Sequence, residues 1–109
     1  AWFDQYELAP ELMITSFADK ATEDIYNGKD SKDARKRLDK ALWPVARRKL
    51  DMIDAASQVK DLSAPPGNRL EALKGDLAGY YSIRINDQHC IVFKFQTGAA
   101  SEVRITDYH

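Results

Sequence analysis

The stretch "YYSIRINDQHCIVFKF", residues 80–95, decides the fold. Its apolar residues recur every second position, Tyr81, Ile83 and Ile85 before Asn86-Asp87-Gln88 and Ile91, Phe93 and Phe95 after it. A period of two is that of a half-buried strand, and the polar tripeptide between the runs is turn chemistry. The spacing therefore predicts a hairpin with those six side chains on the core face. The other face holds Tyr80, Ser82, Arg84, Cys90, Val92 and Lys94, a polar and cationic surface interrupted by one thiol.

Outward from the hairpin, Ser101 to Thr106 reads as a further strand with Val103 and Ile105 inward, reached through the turn "TGA". Asp107 and His109 share that inward phase, so the strand is expected to end or twist near Thr106. By the same parity His89 is expected to pack with Ile91 and Phe93. Upstream, "SAPPGN" (63–68) is a stiff loop, and "RLEAL" (69–73) is a short strand ending at Lys74.

The first half reads as helix. Ala18, Ala21, Ile25 and Tyr26 fall on one face, with Gly28 as the stop. Ser31 caps a second helix through Leu38, Ala41 and Leu42, and Pro44 suits the first turn of a continuation carrying Val45, Ala46, Leu50, Ile53 and Ala56. "MITSF" (13–17) reads as a short strand. The predicted fold is α+β: an N-terminal strand and two helices packed on a twisted, mainly antiparallel sheet, one domain over 13–109.

Residues 1–12 form an appendage, either a native extension or the remnant of a tag. They hold Asp4, Glu7 and Glu11 and no base, and their Trp2, Phe3, Tyr6 and Leu8 could dock on an apolar surface. The whole chain of 109 residues carries a net charge of -1, but residues 28–50 hold nine bases against three acids. This local excess of +6 is as readily a solvated helix face as a surface for a polyanion. No apolar run approaches the roughly 20 residues that span a bilayer, and no secretory signal opens the chain, so a cytoplasmic address without a membrane partner is expected. One Cys and two His offer no metal-ligand spacing and no internal disulfide, and no cofactor is expected.

"PPGNRLEALKGDLAGYYSIRINDQ" (65–88), followed by an apolar strand and a terminal "DYH", resembles the HigB branch of the RelE-like bacterial toxins. The resemblance runs from Met13 to His109. It implies a toxin of a type II toxin–antitoxin system, a ribosome-dependent mRNA endonuclease that stops translation, held inactive by a HigA-type antitoxin and bound with it to operator DNA. It further implies metal-free cleavage, in which the 2′-hydroxyl attacks the neighbouring phosphodiester. By position, Lys74 matches the active-site lysine, and Asp107 and His109 match functional residues of the closing motif. Tyr108 would stack on a base or pack at the edge.

Where the family reads "DQWRI" or "DQHRI", this chain reads "DQHCI", so Cys90 stands at the position of the arginine that grips the scissile phosphate. A thiol lacks a guanidinium's planar, permanently charged fork. The expectation is a weakened or inactive nuclease that keeps its fold and partners, or a non-catalytic module that binds antitoxin and regulates its operator. Arg84 or Arg69 would compensate in part. Glu71 stands where some members carry a histidine, and Arg35, Lys36, Arg37, Arg47 and Arg48 are the expected ribosome-docking cations.

Overall fold

The computed structural model of the chain describes residues 13–107. The readings made of residues 1–12, Tyr108 and His109 lie outside them. Five strands form one sheet in the order β1-β5-β4-β3-β2, where β1 is Met13–Ile14, β2 Glu71–Ala72, β3 Tyr80–Arg84, β4 His89–Gln96 and β5 Ala99–Asp107. Only β1 against β5 is parallel. Three α-helices, α1 (Lys20–Asn27), α2 (Lys32–Arg37) and α3 (Trp43–Ala55), lie between β1 and β2. Among the described residues no helix is long and apolar enough to cross a membrane.

The hairpin takes the register its alternation predicts, with Ile83 opposite Ile91 and Arg84 opposite Cys90. Asn86 makes the turn: its side-chain oxygen accepts from the backbone N–H of Gln88 (2.9 Å) and of His89 (2.7 Å). Ile83, Ile91, Phe93, Val103 and Ile105 are fully buried against Ile25, Leu38, Leu50 and Ile53, while Tyr81 and Phe95 pack at the margin. Burying a side chain of this size contributes about 1.5–3 kcal/mol, and the apolar helix stripes meet the sheet face that the alternation marks as inward.

Asp19 caps α1 by accepting from Thr22 N–H at 2.8 Å, and Gly28 closes it in the left-handed conformation, φ 76°. Ser31 caps α2 and also donates to Asp24 at 2.7 Å, tying the two helices together. The expected second helix is divided. Leu38 is extended, Asp39 caps the 3-10 turn Lys40–Leu42 through Ala41 N–H, and α3 begins at Trp43 with Pro44 in its first turn. Apolar spacing carries across this junction; the Asx cap and the Trp43 indole, which donates to the Leu38 carbonyl at 2.9 Å, interrupt the helix there.

Three strands differ in length from the sequence reading: β1 covers only Met13–Ile14 of the expected 13–17, Phe17 making an isolated bridge to Val103. β2 covers only Glu71–Ala72, so Lys74 lies beyond it, in front of the 3-10 turn Gly75–Leu77. β5 is longer and runs straight through Thr106 to Asp107, which pairs with His89. A bulge between Val92 and Lys94 resets its register, with Glu102 at a positive φ of 51° absorbing the extra residue. The bulge places Ser101 opposite Lys94 and Arg104 opposite Val92, both on the face away from the helices.

Candidate functional site

The sheet face turned away from the helices carries a cleft of about 240 Å³, lined by Ser82, Cys90, Val92, Arg104, Thr106 and Asp107 with Glu71, Leu73 and Leu77 at its side. Its floor comes from β3, β4 and β5, and its wall from the chain between β2 and β3. Cys90, only 4% exposed, sits opposite Thr106 on one side and Arg84 on the other. Burial pushes the Cys90 thiol up; Arg104 and Arg84 oppose that shift, and the carboxylates of Glu71 and Asp107 reinforce it. Cys90 is therefore a neutral, sequestered group among four charged ones.

A second and larger cleft, about 620 Å³, opens on the helix side of the same strand end. It is lined by Asp19, Lys36, Arg37, Gln88, His89, Arg104, Ile105, Thr106 and Asp107. Arg104, Thr106 and Asp107 line both clefts, so the C-terminal end of β5 divides them. Asp107 is exposed and accepts from the Gln88 side chain at 3.1 Å. Its inward phase requires no break in the strand, because the groups facing it from α2 and the α1 cap lie across an open cleft rather than in the core.

The residues singled out from sequence divide into three groups. Cys90 and Asp107 share one cleft, and Lys74 is exposed next to Leu73, which lines it. Arg69 and Arg84 come together with Leu70 and Glu71 in an adjoining depression, Arg84 also reaching Asp87 at 3.5 Å. The cations of residues 28–50 lie elsewhere. Arg35 and Lys40 both pair with Asp30, at 2.6 and 2.7 Å, Arg47 packs beside Gly28, Arg48 is exposed, and Lys36 lines the larger cleft. Arg37 is held at 2.6 Å from Asp19 and 2.9 Å from the Ile105 carbonyl. His89 is half-buried in the larger cleft, and its Nδ1 finds no hydrogen-bond partner among the described residues.

Arg104 and Gln88 were not singled out from sequence. Alternation carries a signal for Arg104, since it lies out of phase with Val103 and Ile105 and so on the Cys90 face; for Gln88 the turn offers none. Among the described residues no group of three or more His, Cys, Asp or Glu side chains is placed to hold a metal ion.

A family model described as the RelE-like toxin of the type II toxin–antitoxin system HigB matches residues 15–109. The chain belongs to the HigB-like family of RelE-like toxins. It is 41% identical over 89 residues to "Toxin HigB-1" of Vibrio cholerae serotype O1, a match spanning 81% of this chain and 90% of that protein. An uncharacterised protein of Haemophilus influenzae is 38% identical over 71 residues, covering 65% of this chain and 70% of the relative. In fold, the HigB-like chain is similar to a YoeB/ParE toxin from Agrobacterium tumefaciens (TM-score 0.50, 19% identity, 89% of this chain and 99% of that one). It is likewise similar to a chain of the heterotetrameric YoeB–YefM toxin–antitoxin complex from Staphylococcus aureus (TM-score 0.50, 22% identity, 90% and 97% covered). The chain is thus a type II toxin by family, and its α+β architecture is that of RelE-like toxins.

Proposed function

We propose that this toxin is an endoribonuclease that cuts mRNA on the ribosome, with its activity lowered by the absence of an arginine at position 90. The observation that carries the reading is the cleft of the outer sheet face, where Cys90, Asp107 and Arg104 meet beside the Lys74 turn in a chain of this family. Metal-free cleavage needs a base for the 2′-hydroxyl, an acid for the departing 5′-oxygen and cations for the charge on phosphorus. In the proposed reaction the 2′-oxygen bonds to phosphorus as its proton leaves. The bond from phosphorus to the 5′-oxygen breaks, and that oxygen takes up a proton, leaving a 2′,3′-cyclic phosphate and a 5′-hydroxyl. His109 exchanges the protons, Asp107 orients it, Lys74 offsets charge on the phosphorane, and Tyr108 stacks on a base.

Cys90 contributes no charge to this site, and its burial supports a passive role. Loss of one preorganised donor costs about 10²–10³ in rate. The exposed cations Arg48 and Lys36, with Arg35 and Arg47, are the proposed contacts to ribosomal RNA, and Arg69 and Arg84 extend the track beside the cleft. A HigA-type antitoxin is the proposed partner, consistent with the toxin–antitoxin complex among the structural neighbours, and operator DNA is bound through that complex.

The test is cleavage of mRNA on programmed ribosomes by the protein and by Cys90→Arg. The replacement is expected to raise cutting by about a hundredfold, the low side of the effect of one such donor. Absence of cutting by both proteins would instead favour a non-catalytic module that binds antitoxin and regulates its operator.

A further inference from the structure

The cleft beside Cys90 has a neutral floor of Ser82, Cys90, Val92 and Thr106, and its charge comes from the rim. Two arginines face the thiol. Arg84, cross-strand from Cys90, is already engaged by Asp87. Arg104, on the neighbouring strand, has a different standing: its Nε is buried and finds no hydrogen-bond partner among the described residues. A buried guanidinium N–H left without an acceptor is a free-energy cost that folding normally avoids, and one that an incoming anion relieves.

We propose that Arg104 is the phosphodiester-binding arginine of this toxin, supplying from β5 the guanidinium that position 90 lacks. The inference rests on the nuclease reading for its substrate, single-stranded RNA, but the binding claim is separable from it. Three observations converge on Arg104. The unbroken pairing of β5 with β4 from Arg104 to Asp107 sets its side chain on the Cys90 face, opposite Val92. Of the charged neighbours of the thiol, Arg104 acts on it most strongly. It also lines the clefts on both sides of the β5 end, where a strand of RNA crossing from one to the other must pass it.

The carboxylates of Glu71 and Asp107 line the same cleft, and Arg84 stands across Cys90 from it. Neither acid is within hydrogen-bond reach of Arg104 Nε, so the guanidinium gives up no partner at that nitrogen when it turns toward a non-bridging phosphate oxygen. A guanidinium presents two parallel donors to such a group, and that fork gives orientation as well as attraction.

The experiment measures binding of a short single-stranded RNA, 2′-O-methylated so that it cannot be cut, to the full chain by fluorescence anisotropy across a salt series. Arg104→Gln is expected to weaken binding about tenfold and to reduce the slope of log K against log salt by about 0.7, the loss of one contact to a single strand. Arg104→Lys is expected to keep the slope while losing affinity, because the charge remains and the fork does not. Cys90→Arg in the Arg104→Gln background is expected to restore affinity, and the exposed Lys60→Gln serves as a control. Melting curves establish that each variant is folded.

Affinity and slope unchanged in Arg104→Gln, or no binding by the parent chain, overturns the assignment. Loss of binding in Arg104→Gln while neither the parent chain nor Cys90→Arg cuts ribosome-bound mRNA supports the anion site and removes the nuclease reading. Unchanged binding alongside cutting by the parent chain does the reverse.

Discussion

Arg37 donates to the backbone carbonyl of Ile105 at 2.9 Å, and Thr22 on α1 accepts from the N–H of the same residue at 2.9 Å. These side chains satisfy an edge of β5 that, among the described residues, no strand pairs beyond Val103, where the bridge to Phe17 ends. An unpaired backbone group buried at that edge would be costly. The sequence-based grouping of Arg37 with the docking cations thus misses its place in the fold. Arg37→Met is expected to destabilise the protein by about 2 kcal/mol, since it strips a charged donor from a buried carbonyl and from Asp19 together. Arg35→Ala, which breaks only an exposed pair with Asp30, is expected to stay within about 0.5 kcal/mol. Urea unfolding of the two variants side by side decides the matter; equal losses would show that the Ile105 contact contributes nothing.

Asp19 gives that contact a pH dependence. Burial pushes its carboxyl up, but the hydrogen bonds from Arg37 and from Thr22 outweigh burial and hold it below its ordinary value. A carboxylate whose value is lowered by folding stabilises the fold above its unfolded value, about 3.9, and that stabilisation is lost as pH falls through the lower, folded value. Stability of the parent chain should therefore exceed that of Asp19→Asn by a constant amount from pH 5 to 8. The two curves should converge as pH drops below about 4. Parallel curves down to pH 2 would refute the linkage.

The sheet was more legible than the site. Alternation in residues 80–95 fixes which face of the hairpin is buried, because a slip of one residue would expose Ile83, Ile91 and Phe93 together. The helix junction at Leu38–Asp39 was not legible, since apolar spacing persists there and the interruption comes from a side-chain cap and a tryptophan hydrogen bond. Lys74 falls outside β2 because Gly75, at φ 64°, turns the chain directly after it. Arg104 was readable by parity alone, but its significance depends on a buried Nε without a hydrogen-bond partner among the described residues, which no local pattern announces. The contact of Arg37 with Ile105 spans 68 residues of chain and leaves no periodic trace.

The loop "SAPPGN" is organised by Asn68, which is fully buried. Its amide donates to the carbonyls of Leu62 (3.2 Å) and Ala64 (3.3 Å), and its oxygen accepts from Lys49, itself buried on α3. Asn68→Ala leaves two carbonyls and an ammonium without partners, so a loss of about 3 kcal/mol is expected. Lys49→Met leaves only one amide oxygen unpaired and carries no charge into the interior, and it is expected to cost less. In a double-mutant cycle the two should couple by about 1–2 kcal/mol. Strict additivity would mean that the Lys49–Asn68 contact does not stabilise the fold.

Thiol chemistry reports on the site directly. With its ionisation pushed up by burial, Cys90 holds little thiolate near neutral pH, and the thiolate is the reactive form. Modification by a disulfide reagent at pH 7.5 is expected to be slow in native buffer and rapid in denaturing urea. Complete reaction within seconds under native conditions would place the sulfur at the surface and remove it from the cleft floor.

Cys90→Arg, the replacement expected to raise cutting, should also carry a cost in stability. The new guanidinium would lie cross-strand from Arg84 and diagonal to Arg104, and like charges in that relation repel. Glu71 and Asp107 offset part of the repulsion, and the cleft lets the longer side chain reach water, so a loss of about 1 kcal/mol is expected. The cause is electrostatic, which makes salt the discriminating variable. The melting temperature of Cys90→Arg should approach that of the parent chain as sodium chloride rises from about 0.05 M to about 0.5 M, where the Debye length has fallen to a few ångströms. A gap that does not close would mean that the arginine disturbs packing at Ser82 and Val92 rather than the field. The gain in cutting would then have to be separated from a rearranged cleft.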